Sequence, residues 1–142
     1  MSTSGSHEVA VGDLIPTVTK GPITSGLIAR WAAGSGDFNP IHYDKDWALS
    51  EGLPNTVIAG PMKAAMLAQY LVDWAGGNPR AIRSLTCRYR GMDLTGDTLT
   101  LSGKVTKKEN RTISVELTVH NQRGELSTSA TAEVHLTVDP TI

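Results

Sequence analysis

The hydrophobic pattern of this chain changes period once, and that change limits the folds open to it. Residues 61–75 read Pro-Met-Lys-Ala-Ala-Met-Leu-Ala-Gln-Tyr-Leu-Val-Asp-Trp-Ala, apolar almost all round at helical spacing, with Lys63 and Asp73 the only charges. Pro61 suits a first helical turn, Gly76-Gly77 suits the end, and so apolar a helix is expected to be buried on most sides. From Ala81 onward the period is two. Leu99, Leu101, Gly103 and Val105 alternate with polar residues, as do Ile113, Val115, Leu117 and Val119. Residues 126–138 place Leu126, Thr128, Ala130, Ala132, Val134, Leu136 and Val138 on one face. With the run around Leu85 to Tyr89, this predicts a four-strand antiparallel meander with one apolar face that needs a cover. The long helix is the one element able to supply it. The expected fold class is α+β, a curved antiparallel sheet wrapped around a long central helix.

The first half of the chain is less regular. Residues 9–18 read as an edge-like strand broken by Gly12-Asp13 and Pro16. Thr24 is a suitable N-cap for a short helix carrying Leu27, Ile28, Trp31 and Ala32 on one face, with Gly34 as its stop. Asp44 can cap a second short helix through Trp47, Ala48 and Leu49. At 142 residues one domain is expected over residues 9–142, after a polar tail over residues 1–8 expected to be disordered. The net charge is −1 and the basic residues are scattered, which excludes an electrostatic footprint for nucleic acid or an anionic membrane. The single cysteine, Cys87, permits no intrachain disulfide and reads as a small core residue. No signal peptide or membrane-spanning run is visible, so a soluble cytoplasmic protein is expected.

Between the two short helices lies Ser35-Gly36-Asp37-Phe38-Asn39-Pro40-Ile41-His42. Gly36 opens dihedrals closed to other residues, and Pro40 fixes its own φ while keeping Asn39 out of the α region. A straight helix, at roughly 100° per residue, would carry Asp37 and His42 to different faces. A bent loop can point both into one space as an acid/base pair. The bland alternative is local: Asp and Asn in such loops commonly bond their own backbone, and a lone His can be a satisfied loop residue.

This stretch, with Ala48 six positions on, resembles the hydratase motif of MaoC-like, (R)-specific enoyl-CoA hydratases. The likeness runs from about Val11 to Val138, and that family has the hot-dog fold, in agreement with the sheet and helix pattern. The resemblance implies that Asp37 and His42 are the catalytic pair and that Asn39 helps hold the loop. It further implies that a backbone N–H at the start of the central helix, here Gly60, holds the thioester carbonyl. Where relatives read His-Gly-Met, this chain reads Ala59-Gly60-Pro61, so the donor is kept while the acyl pocket is reshaped. Residues 70–76 and Gly96-Asp97-Thr98 bear a weaker likeness to actinobacterial hydratase subunits that act on steroid side-chain CoA thioesters and pair with a different hot-dog subunit.

The implied substrates are CoA or acyl carrier protein thioesters, with Lys63, Arg88 and Arg90 as candidate contacts to CoA phosphates and no metal or separate cofactor. A homodimer is expected from the meander's free edge, or a heteromer with a second hot-dog subunit. Two rivals stand beside the enzyme: an accessory subunit that shapes another chain's pocket, and a hot-dog thioesterase. The thioesterase would need a carboxylate on the central helix, where only Gln69 and Asp73 are offered. Which of Asp37 and His42 gives a proton and which takes one is left open.

Overall fold

A computed structural model describes residues 8–137 and 140. The elements run β1 (Leu14–Lys20), α1 (Ser25–Ser35), a 3-10 turn (Pro40–His42), α2 (Lys45–Ser50), α3 (Gly60–Trp74), a second 3-10 turn (Pro79–Ala81), β2 (Ile82–Tyr89), β3 (Leu99–Glu109), β4 (Thr112–Asn121) and β5 (Leu126–His135). The strands form one five-stranded antiparallel sheet in the order β1-β3-β4-β5-β2. The disordered tail expected over residues 1–8 lies outside the described residues except for Glu8, whose Oε1 accepts from Lys108 Nζ at 3.0 Å. The expected position of Val138 on β5 also lies outside them.

Alternation is realised as the pattern requires. Leu99, Leu101 and Val105 of β3, Ile113, Val115, Leu117 and Val119 of β4, and Ala130, Ala132 and Val134 of β5 are buried beneath α3. From α3 come Met62, Leu67, Tyr70 and Leu71. Gly103 leaves little room for a side chain, since a Cβ there would meet Ile15 Cδ1 at 2.8 Å and Leu117 Cδ2 at 2.9 Å and those side-chain ends would have to shift. The Tyr70 hydroxyl donates to the carbonyls of Pro16 at 2.9 Å and Ile15 at 3.2 Å, and burial pushes its pKa up to about 12. Those carbonyls flank the register shift of β1, where Pro16 has no N–H to give the ladder.

Two expectations need correction. Only β3, β4 and β5 form a meander; β2 crosses to the far edge and pairs with β5. Residues 90–98 are too long for a tight hairpin and run instead along residues 56–58, with Ile58 N–H donating to Asp93 O at 2.8 Å and Thr95 N–H to Thr56 O at 2.9 Å. The central helix is buried or half-buried on most sides, with one exposed stripe of Pro61, Ala65, Gln69 and Asp73. Gly34 does not end α1. Ser35 stays helical, its Oγ donating to Trp31 O at 2.7 Å, and Gly36 is the cap, at φ 75° with its N–H on Ala32 O. Cys87 packs partly buried against the core, and burial raises its pKa, as suits an inert thiol.

Candidate active site

The segment after α1 is shaped by its own short bonds. Asp37 N–H donates to Ser35 Oγ at 3.2 Å, and Asp37 Oδ1 accepts from Asn39 N–H at 3.3 Å. Asn39 caps the 3-10 turn, its Oδ1 accepting from Ile41 N–H at 3.3 Å while its carbonyl accepts from His42 N–H at 3.1 Å. Tyr43 Oη closes the loop on Phe38 O at 2.9 Å. The local Asx bonding expected of an ordinary loop is therefore present. It also brings Asp37 Oδ2 to 3.4 Å from His42 Nε2.

The protonation of His42 follows from its other nitrogen. Nδ1 lies 2.8 Å from the carbonyl of Val57, which can only accept, so Nδ1 carries the hydrogen. In the neutral ring Nε2 is then a lone-pair acceptor facing a carboxylate. Two acceptors at this separation cannot bond each other without an added proton, and between them they offer a fork for an O–H donor. His42 is 11% exposed and Asp37 37%, so the pair sits at an opening with the carboxylate outermost.

Val57 links this pair to the central helix. Its N–H donates to Ile41 O at 3.0 Å while its carbonyl holds His42, and three residues on comes Gly60, the first residue of α3. A helix start leaves several N–H groups unpaired. Here Met62 and Lys63 both reach back to Ala59 O, at 3.1 and 3.4 Å, and Pro61 has no N–H. Gly60 N–H donates to no described residue, which makes it the one free donor at the start of this 15-residue helix. At the same helix start Ala59 is a buried N-cap with no side-chain bond, and Pro61 is exposed.

Tyr89 was not singled out by sequence. A Cβ on Gly60 would lie 2.9 Å from Cγ, Cδ2 and Cε2 of its ring, so the ring packs directly on the glycine. The available signal was alternation: on β2, Tyr89 falls on the helix side, opposite Arg88 and Arg90. Those two arginines lie on the outer face, in a shallow groove of about 360 Å³ with Thr86, Glu116 and Ser129. Arg90 Nε donates to Ser129 Oγ at 2.7 Å. The structure does not group them with Asp37 and His42.

Lys63 requires a correction. It is 2% exposed, and its Nζ lies 3.0 Å from Oδ2 of Asp93, itself wholly buried. A cation consumed by an internal carboxylate is not available to a CoA phosphate. Sequence reasoning missed Asp93, and it missed Asp97 as an anchor. Burial alone would raise the Asp97 pKa, but the Arg123 guanidinium (2.9 and 2.8 Å), Leu94 N–H and Gln122 hold it down at about 2.

The family model for the MaoC like domain matches residues 8–125. The chain belongs to the MaoC-like dehydratase family. This MaoC-like domain is 31% identical over 111 residues to the 3-oxo-4,17-pregnadiene-20-carboxyl-CoA hydratase beta subunit of Mycobacterium tuberculosis, covering 78% of this chain and 84% of that protein. Among solved structures it is similar to a chain of the ChsH1-ChsH2 complex from Mycobacterium tuberculosis, with TM-score 0.82 and 26% identity over 91% of this chain and 99% of that one. The (R)-hydratase from A. caviae involved in PHA biosynthesis shares the fold, with TM-score 0.84 and 22% identity over 92% and 99% of the two chains. The sheet around a central helix is the hot-dog fold, and the family is one of hydratases and dehydratases. No helix among the described residues is long and apolar enough to cross a membrane.

Proposed function

We propose that this MaoC-like domain adds water to trans-2-enoyl thioesters of CoA or acyl carrier protein, giving (R)-3-hydroxyacyl thioesters, and runs the reverse dehydration. The observation that carries the reading is the Asp37–His42 fork, with its tautomer set by Val57 and a free N–H three residues beyond Val57.

Hydration forms a C–O bond at the β carbon and a C–H bond at the α carbon, with water supplying both atoms. Water is a weak nucleophile, so one member of the pair takes its proton as the C–O bond forms. The electron pair of the double bond moves toward the thioester carbonyl as an enolate. Gly60 N–H, at the positive end of α3, stabilises that charge. A proton from the pair then reaches the α carbon on the same face, so addition is syn. Asn39 keeps Asp37 and His42 in register, its N–H donating to Asp37 Oδ1 while its side-chain and backbone oxygens accept from the N–H groups of Ile41 and His42. Ala59 and Pro61 border the donor and help set acyl selectivity.

The reading extends to assembly: the functional unit pairs this chain with a second hot-dog subunit, either its own copy or a different chain. Phe38, Tyr43, Trp47, Tyr89 and Met92 are exposed aromatic or apolar side chains on the segments that build the site, and the M. tuberculosis relatives are a beta subunit and a complex. Arg88 and Arg90 remain candidates for phosphate contact only from the outer sheet face.

The test is turnover of crotonyl-CoA and of bulkier enoyl-CoAs, following loss of enoyl absorbance and release of thiol. Hydration without thiol release is expected, and Asp37→Asn and His42→Ala should each lower kcat by about 10²–10⁴-fold in folded protein. Thiol release without hydration would make the chain a thioesterase. Activity that requires a second subunit would make it half of a heteromer. Full activity in both variants would overturn the site assignment.

A further inference from the structure

Beneath the Gly60 donor lies a buried polar group that the proposed chemistry does not use. Lys63 Nζ is 3.0 Å from Asp93 Oδ2, and Asn121 Nδ2 donates to Asp93 Oδ1 at 3.0 Å. The same Nζ reaches Gly91 O at 3.4 Å. The carbonyl of Asp93 accepts from Ile58 N–H at 2.8 Å, and Asn121 Oδ1 accepts from the N–H groups of Arg123 (3.0 Å) and Glu125 (3.2 Å) in the β4–β5 turn. Three parts of the molecule thus meet on one buried carboxylate: the first turn of α3, the segment from Tyr89 to Asp93, and the far end of the meander.

Helix stability does not account for this arrangement. A cation in the first turn opposes the helix dipole. Burying an ion pair costs desolvation that its attraction roughly offsets, and apolar residues of similar size do as well or better. What charged hydrogen bonds add over apolar contact is direction and distance. We infer that Lys63 and Asp93 are positioning residues for the candidate oxyanion donor. They clamp the Tyr89–Asp93 segment to the first turn of α3, seating the Tyr89 ring on Gly60 and fixing where the Gly60 N–H points. This rests on the reading of Gly60 given above.

The deciding variant is Lys63→Met with Asp93→Asn, which removes both charges while the residue-93 side-chain oxygen still accepts from Asn121. Lys63→Met alone would strand a buried carboxylate and test folding instead. In the double variant Tm is expected to stay within a few degrees of wild type. Its kcat for enoyl-CoA hydration should fall about 10-fold with KM changed less than about 3-fold, the signature of a displaced donor. By NMR, the Gly60 amide should shift and the Met62 amide exchange faster. A folded double variant with wild-type kcat and unchanged Gly60 and Met62 amides would overturn the inference. If it does not fold, Asn121→Ala decides: a shifted Gly60 amide with kcat lowered several-fold at unchanged KM supports positioning whatever the Tm, whereas wild-type kcat or an unmoved Gly60 amide refutes it. If the wild-type protein hydrates no enoyl-CoA, alone or with a second subunit, the hydratase reading fails, and the amide measurements alone decide whether the pair sets the Gly60 geometry.

Discussion

Replacing Gly60 by alanine adds one methyl group at the most sensitive point of the proposed site. Gly60 does not have a positive φ, so backbone strain is not the issue; space is. The new Cβ would sit 2.9 Å from three consecutive atoms of the Tyr89 ring, and ordinary contact begins at 3.4 Å. Half an ångström must therefore be found (3.4 − 2.9), by the ring, by the helix start or by both. Tyr89 is 49% exposed in this chain and can yield away from the helix, so the fold should survive. Complete loss of an oxyanion donor costs on the order of 3 kcal/mol, and a shift of about half an ångström should forfeit part of that, about 1–2 kcal/mol. Steady-state kinetics on an enoyl-CoA should therefore show kcat down about 5–30-fold, with KM and Tm close to wild type. Adding Tyr89→Leu to Gly60→Ala removes the face-on overlap and should recover most of the loss, judged against Tyr89→Leu alone. Unimpaired kcat in Gly60→Ala, or a double variant no better than the single, would refute the reasoning.

Two further outcomes follow from the scaffold. Asp97 has its pKa lowered from 3.8 to about 2 on folding, so its contribution is complete above pH 4 and disappears as pH falls through 2. Because its partner Arg123 is part-exposed, that contribution is about 1–2 kcal/mol, and Asp97→Asn should flatten this portion of the stability-versus-pH curve in chemical denaturation. Leu67, fully buried at the middle of α3, should cost about 2–5 kcal/mol when cut to alanine, seen as a lower urea midpoint at unchanged slope.

The sheet, the helix and their mutual burial were legible because each rests on a short-range repeat. Leu101, Val115 and Ala132 alternate with polar neighbours, and a period of two has one structural meaning at that length. The Asp37–His42 loop was legible for a related reason. Gly36, Asn39 and Pro40 act on their own and adjacent dihedrals and on bonds two or three residues away, all of it local chemistry. What stayed hidden involves partners far apart in the chain. Nothing near β2 says that it pairs with β5 rather than β3, because strand neighbours are chosen by where the long connections run.

Lys63 shows the division most clearly. Read along the helix, it is one of two charges on an apolar segment and a natural candidate to meet a phosphate. Its partner Asp93 is 30 residues away and Asn121 a further 28, and only folding brings the three together. The same holds for Tyr89 and Gly60. Local dihedral preferences and hydrophobic period, which act over a few residues, determined the elements and the polar loop. The tertiary structure decided which charges are consumed inside the protein and which N–H is left free, because burial and long-range pairing are properties of the packed chain.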